Sequence, residues 1–591
     1  MDKICAGLKE RIDFNQDFKL DWHDPDEAFD GYQLKWIGKD YARLQSGMQT
    51  QTVIIPDVKH NEKDRNKNSQ NLFFTGDNLE ALKHLQNAYS NSIKMIYIDP
   101  PYNTGNDFVY EDDFAQSAGE YLSNSGQYDD QGNRLFANSD SNGRFHTDWL
   151  NMMYPRLKIA KDLLTDDGQI LISMADNELC NLLKLCEDIF GKKNIEIFVW
   201  KKKGGAGNTE KIIGVLTEYI ICCFKNKKPG DFNYQSFERE YKFKDEKGPY
   251  NLEGIEKSNL GTYERKTMLF AITDPTTNIE FYPSDGMRWT LGEETVKKMI
   301  DLGKIYFDYK NKKVKRIKRP EDYDLSENVY YNLLDNEGSL STAKDEIKEL
   351  MGNREIFDTP KPTKLMNTLL KICSKEDSII VDFFSGSATT AHSVFLMNLE
   401  ENTHRKFIMV QLPEKCSEDK EAYKEGYLDV CDIGEERIRR AGKKIKSEAG
   451  LTGTNLDTGF RVLKLDSSNM NDVYYNAKTT IQSIFDNTVD NVKPDRTPLD
   501  LLFQVMLELG IELSAKIEEK EIAGKKCFVV NENDIVACFD NGVTNEVVTE
   551  LANIKPIYAV FKDSSFKTDS ANINCEQIFK SISPSTTIKV I

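Results

Sequence analysis

The hydrophobic pattern changes character along the chain. Residues 1–70 are polar, carry Trp22 and Trp36, and end in a loop-like stretch at Asn61–Gln70. From Asn71 onward short apolar runs alternate with helical periodicity. Leu72-Phe73-Phe74 predicts a buried strand, and Leu79, Leu82 and Leu85 recur at helical spacing. Met95-Ile96-Tyr97-Ile98 predicts a second strand, stopped abruptly by Asp99-Pro100-Pro101-Tyr102. A helix over 151–165, a strand at Ile170-Leu171-Ile172, a helix over 177–189 and a strand over 195–200 follow. Strands alternating with helices predict a parallel α/β sheet.

Between about 201 and 355 this rhythm dissolves into scattered aromatics, glycines and lysines. It resumes with a helix over 362–373, a strand at Ile379-Ile380-Val381, a helix over 389–399, a strand at Phe407–Gln411 and a basic helix over 432–447. Residues 456–591 read as a separate mixed α/β domain. The expected organisation is therefore an N-terminal segment (1–70), a sheet half (71–200), an inserted domain (201–355), a second sheet half (356–450) and a C-terminal domain (456–591).

Length supports several domains, because 591 residues exceed the roughly 250–300 that one hydrophobic core organises. No apolar run approaches the ~20 residues that span a bilayer, and the charged start lacks a signal-peptide core, so a cytoplasmic protein without membrane contact is expected. Eleven cysteines without a C-x-x-C pair disfavour a zinc site or a disulfide scaffold, and no metal is expected. Net charge is −18, which on its own argues against a nucleic-acid partner. The charge is uneven, however. Residues 201–320 hold 20 Lys and 5 Arg against 11 Glu and 6 Asp, a local balance of +8 that leaves −26 for the remainder. A localised basic surface is what phosphate binding requires.

Two loops carry candidate chemistry. Asp99-Pro100-Pro101-Tyr102 lies at the carboxyl end of a predicted strand, where ligands bind in open α/β sheets. Two prolines remove backbone donors and fix φ, leaving a rigid acceptor surface beside an aromatic ring. That surface suits a planar group bearing an NH₂: the amine donates to Asp99 and the Pro100 carbonyl while the ring stacks on Tyr102. The second loop, Asp382-Phe383-Phe384-Ser385-Gly386-Ser387-Ala388-Thr389, again joins strand to helix, with small residues that admit close approach. It matches neither the Walker loop nor G-x-G-x-x-G.

The pair of loops resembles the amino-group DNA methyltransferases, with the catalytic loop preceding the cofactor loop and a recognition domain between them. The blocks Gly76–Leu82, Trp149–Leu164, Lys361-Pro362-Thr363-Lys364-Leu365, Glu436–Gly442 and Gly459–Val462 narrow the resemblance to the modification (Mod) subunits of type III restriction–modification systems. The resemblance implies a Rossmann-like S-adenosylmethionine-dependent sheet with an inserted target-recognition domain. It implies methylation of adenine N6 in double-stranded DNA with the base flipped out, a homodimer, and a nuclease–translocase partner. Asp99, Pro100, Pro101 and Tyr102 would be catalytic. Asp77, Asp99, Lys361, Pro362, Leu365, Asp382, Phe383, Gly386, Ser387 and Glu414 would surround S-adenosylmethionine, and Lys312, Lys313, Lys315, Arg316, Lys318 and Arg319 would contact DNA. Asp77 also suits a helix cap, and His146 and His392 read as surface or packing residues. Relatives usually carry Gly at position 388 and Ala at 385. Were positive φ needed at 388, Ala would cost about 1 kcal/mol or more. Cytosine-N4 or RNA-base methylation, and a non-catalytic recognition subunit, are the alternatives. No Pro-Cys dipeptide is present for cytosine-C5 chemistry.

Overall fold

The computed structural model describes residues 34–50, 52–104, 145–205, 213–235, 240–259, 265–322, 329–453, 455–470, 492–566 and 569–591. Trp22 lies outside them. The chain divides into two units, Met1–Asp231 with Asn332–Ile591, and Phe232–Tyr331.

A ten-stranded sheet organises the first unit. Its strands are β1 (Thr52–Pro56), β2 (Leu72–Thr75), β3 (Ile93–Ile98), β4 (Leu164–Met174), β5 (Ile195–Lys201), β6 (Thr217–Phe224), β7 (Leu333–Leu334), β8 (Ile379–Asp382), β9 (Lys406–Gln411) and β10 (Arg461–Ser467). They lie in the order β1-β10-β2-β9-β8-β3-β4-β6-β5-β7. The run from β10 to β4 is parallel throughout, whereas β6 is antiparallel to β4 and β5. Every residue of β3 is buried, as a central parallel strand requires.

The helices that matter for the site are α1 (Lys39–Gly47), α2 (Asn78–Tyr89), α3 (Phe145–Leu163), α4 (Leu179–Phe190), α5 (Leu340–Met351), α6 (Thr363–Cys373), α7 (Thr389–Glu401) and α8 (Val430–Ala449). From β8 the chain runs through α7 to β9 on one side, while β3 leads towards α3 and β4 on the other. The neighbouring strands β8 and β3 therefore diverge at their carboxyl ends. That divergence is the topological switch point at which open α/β sheets bind ligands.

Three expected boundaries move. Residues 201–231 and 332–355 belong to the sheet unit, because the run Thr217–Phe224 forms β6 and Leu333–Leu334 extends the far edge. The N-terminal segment is not separate: β1 pairs with β10, and Trp36 donates to Asn151 at 2.6 Å. Residue 456 is likewise no break, since β10 continues the sheet beside β2. Beyond it α9 (Pro498–Glu508) packs on β1 and α2. A five-stranded sheet, β11 (Ile517–Ile522), β12 (Lys525–Val530), β13 (Ile535–Cys538), β14 (Tyr558–Phe561) and β15 (Thr587–Val590), then shares one core with the large sheet through Phe528, Val530 and Val560.

The second unit has its own core of Ile255, Ile272, Phe281, Trp289, Val296 and Val314. Its main sheet orders Ile305–Asp308, Lys313–Lys318, Gly248–Gly254 and Phe243–Asp245, all antiparallel. No helix among the described residues is long and apolar enough to cross a membrane.

Candidate active site

The loop after β3 is held from several directions. Trp149 of α3 donates to the Pro101 carbonyl at 2.8 Å, and Asn177 donates to the carbonyls of Tyr102 and, at 3.0 Å, Asn103. Asn103 takes the left-handed conformation (φ 53°), and its side chain donates to the buried Glu178 at 2.6 Å. His146 also meets Glu178, at 2.5 Å, so this histidine holds the base of the loop. In contrast, no hydrogen bond from the described residues reaches the carbonyl of the buried Pro100. That carbonyl adjoins the Asp99 carboxylate.

Asp99 sits in a charged cluster. Its Oδ1 accepts from the Tyr102 hydroxyl at 2.9 Å and its Oδ2 from Lys361 Nζ at 2.6 Å. Lys361 also donates to the Tyr102 hydroxyl at 3.1 Å, with its ammonium 5.2 Å from the ring centroid. A second carboxylate, Glu218 at the start of β6, lies 3.2 Å from the Tyr102 hydroxyl, competing with Asp99 for its single proton, and accepts from Lys202 at 2.7 Å. Burial, reinforced by the charges of Asp99 and Glu218, drives the Tyr102 phenol well above its ordinary range. It therefore remains a donor at any physiological pH.

The adjacent strand β8 delivers the second loop. Register pairs Ile380 with Met95 and Val381 with Ile96, which brings Asp382 beside the Asp99 strand end. Asp382 is buried, accepts from Thr390 at 2.6 Å and from the Phe384 amide at 3.2 Å, and is pushed up to about 7 by burial, with Asp99 adding to the rise. The Gly386 amide donates to Gln411 at 2.7 Å, and this glycine takes φ 49°. A methyl there would lie 3.1 Å from the Phe357 ring. Ala388 does adopt positive φ, at 57°. Lys361 joins the two loops: its carbonyl accepts from Thr389 at 3.2 Å while its ammonium lies on Asp99. Behind the second loop, Arg437 of α8 is fully buried and donates to Ser387 Oγ at 2.9 Å and Thr389 Oγ1 at 2.6 Å.

Asp77 caps α2, accepting from the Leu79 and Glu80 amides at 2.8 and 3.0 Å, and pairs with Arg156 at 3.1 Å. Leu365 and Phe383 are fully buried, and the Phe383 carbonyl accepts from Asn78. Pro362 caps α6, whereas Glu414 is exposed after β9. The basic cluster belongs to the second unit and is largely paired there. Lys315 meets Asp308 at 2.9 Å, Arg316 grips Glu253 at 2.6 Å, Lys313 lies 3.7 Å from Glu256, and Arg319 grips Asp245 at 2.6 Å. Lys312 is exposed in the turn before its strand. Glu218, Lys202 and Asn177 were not expected from sequence. An acidic residue opening the apolar run of β6 was the only signal for Glu218.

The loop after β8 carries a polar group suited to an adenosyl sulfonium cofactor. The Ser385 hydroxyl is buried without a hydrogen-bond partner, in a loop whose glycine admits close approach. Residues 93–438 match the DNA methylase family. The chain is 37% identical over 444 residues to the type III restriction-modification enzyme StyLTI Mod subunit of Salmonella typhimurium, covering 74% of this chain and 66% of that one. It is 32% identical over 528 residues to the EcoPI Mod subunit of Escherichia phage P1, covering 84% and 80%. Among solved structures, the M1.HpyAVI–SAM complex covers 58% of this chain and 94% of that one at 12% identity, with a TM-score of 0.26. The family match over more than half of the chain and the long similarity to two Mod subunits lead to one assignment: this chain belongs to the DNA methylase family, among the Mod subunits of type III restriction–modification enzymes.

Proposed function

We propose that the chain methylates the exocyclic N6 of adenine in double-stranded DNA, with Asp99 and the Pro100 carbonyl receiving the amine. The observation that carries this reading is the meeting of the Asp-Pro-Pro-Tyr loop after β3 with the loop after β8, bridged by Lys361 between Asp99 and Thr389. S-adenosylmethionine, when bound, supplies a methyl group on a sulfonium. Ser385, Gly386 and Ser387 would hold its methionine portion, with Asp382 beneath them.

An exocyclic amine is a poor nucleophile because its lone pair is delocalised into the ring. Two acceptors that take both N–H groups draw the nitrogen towards a pyramidal geometry and free that lone pair. As the nitrogen becomes cationic the same two acceptors bind it more tightly, which is stabilisation specific to the transition state. Asp99 then lies closest to the proton that the methylated amine releases. A base inside a duplex cannot reach this loop, so the adenine is flipped out and stacks against Tyr102. Lys312, Lys313, Lys315, Arg316, Lys318 and Arg319 would contribute phosphate contacts, Lys312 most directly because its neighbours are engaged by carboxylates. A Mod homodimer serving a nuclease–translocase subunit completes the reading.

Modification-sensitive sequencing of host DNA tests it. Cells expressing the wild-type chain should carry N6-methyladenine at one short motif, and cells expressing Asp99→Ala should carry none. Undiminished modification with Asp99→Ala removes the carboxylate from the chemistry.

A further inference from the structure

Both oxygens of the Asp99 carboxylate are engaged, Oδ1 by the Tyr102 hydroxyl and Oδ2 by the Lys361 ammonium. The proposed function requires that an incoming amine donate to this carboxylate. A cation held at 2.6 Å from the receiving oxygen opposes the positive charge that builds on the amine nitrogen. Lys361 therefore has to give way. It is only 10% exposed, so its charge cannot simply pass into water. Among the described residues one other carboxylate lies within reach: Glu218 Oε2, 3.9 Å from Lys361 Nζ and itself 11% exposed. The other Glu218 oxygen is occupied by Lys202 at 2.7 Å, which holds this side chain in place.

We propose that the Lys361 ammonium is a resident occupant of the amine subsite and is transferred to Glu218 when the target base enters. Resting ammonium and incoming amine are both N–H donors, so the site exchanges one donor for another. The Lys361 ammonium balances the charge of the Asp99 carboxylate. Bases that present a carbonyl oxygen towards Asp99 and the Pro100 carbonyl meet only acceptors and cannot displace the lysine. Lys361 and Glu218 are then positioning residues that select for an exocyclic amine. This inference rests on the amine-binding role of Asp99.

The test is a double-mutant cycle with methyl-tritiated S-adenosylmethionine and unmodified bacterial genomic DNA. Glu218→Gln removes the receiving charge and should lower kcat/KM for DNA by about tenfold, the size of one lost charge-assisted contact. Calorimetric affinity for S-adenosylmethionine should stay within about twofold, as expected for a site on the amine side alone. Adding Lys361→Met to Glu218→Gln should recover much of the lost rate, because no ammonium is left on Asp99. Losses that simply add in the double variant, or a wild-type rate for Glu218→Gln, overturn the proposal. Asp99→Ala run alongside separates the two levels. If that variant stays active the amine site itself is misassigned; if it is dead and the cycle shows no recovery, only the transfer of Lys361 fails.

Discussion

Arg437 gives the sharpest separation between folding and function. Its guanidinium is completely buried beneath the loop after β8, the proposed cofactor loop, where one nitrogen serves Ser387 Oγ at 2.9 Å and Thr389 Oγ1 at 2.6 Å. The nearest carboxylate, Glu346, is 3.9 Å away, and Nε and Nη2 have no hydrogen-bond partner. Burial brings the guanidinium down to about 10, so it remains charged in neutral solution. Arg437→Met removes two charge-assisted bonds of about 1.5–3 kcal/mol each. It also removes a buried charge whose desolvation penalty is several kcal/mol, and replacing such ions with apolar side chains is often neutral. The two terms nearly cancel, so global stability should change by less than about 2 kcal/mol. The loop does not share in that cancellation. Ser387 and Thr389 lose their common anchor beside Ala388, which is already in the left-handed region, and the ordering they lose must be supplied by the cofactor. Affinity for S-adenosylmethionine should fall about tenfold, or 1.4 kcal/mol. Urea unfolding and calorimetric titration on the same preparation read both numbers. A variant that loses more than about 4 kcal/mol of stability yet binds S-adenosylmethionine normally would make Arg437 a core strut and nothing more.

Two further predictions concern the scaffold of the site. Gly459→Ala places a methyl 1.9 Å from the Arg65 carbonyl, a backbone atom that cannot turn aside, and should cost about 3 kcal/mol or more, visible as a large drop in Tm; a drop under 1 °C would contradict the packing. Asp382, pushed up to about 7 against an ordinary 3.8, binds its proton more tightly in the folded chain. Its contribution is therefore fully present below about pH 4 and lost as pH rises through 7, by up to about 1.4 kcal/mol per unit. The stability difference between wild type and Asp382→Asn, measured by denaturant titration at pH 5 and pH 7, should shift towards the variant at the higher pH; an unchanged difference would refute the burial argument.

How far the site could be read from sequence depends on which residues act locally. Central parallel strands are buried on both faces, so Met95–Ile98 of β3 and Ile379–Val381 of β8 stand out as apolar runs, and the Asp-Pro-Pro-Tyr and Asp-Phe-Phe-Ser-Gly loops mark their ends. Two such ends become one site only if their strands are neighbours, and the pairing of Val381 with Ile96 supplies that. The antiparallel β6 was hidden because strand direction leaves no trace in composition and its flanks are basic and glycine-rich. Glu218 was hidden with it: its place beside Tyr102 follows from the register that sets Tyr219 against Met174, a relation no local pattern encodes. Asp77 shows the converse. An acid at the start of a helix suits both a cap and a ligand contact, and its hydrogen bonds to Leu79 and Glu80 give it the local task. Lys361 was visible as part of a motif, but its partner Asp99 lies 262 residues away in the chain. Side chains that bind the ligand advertise themselves through backbone demands such as prolines and glycines. The charges that tune them carry no such demand, because an ion pair constrains only two side-chain tips, and so Lys361, Glu218 and Lys202 emerge only when the strands have been put in order.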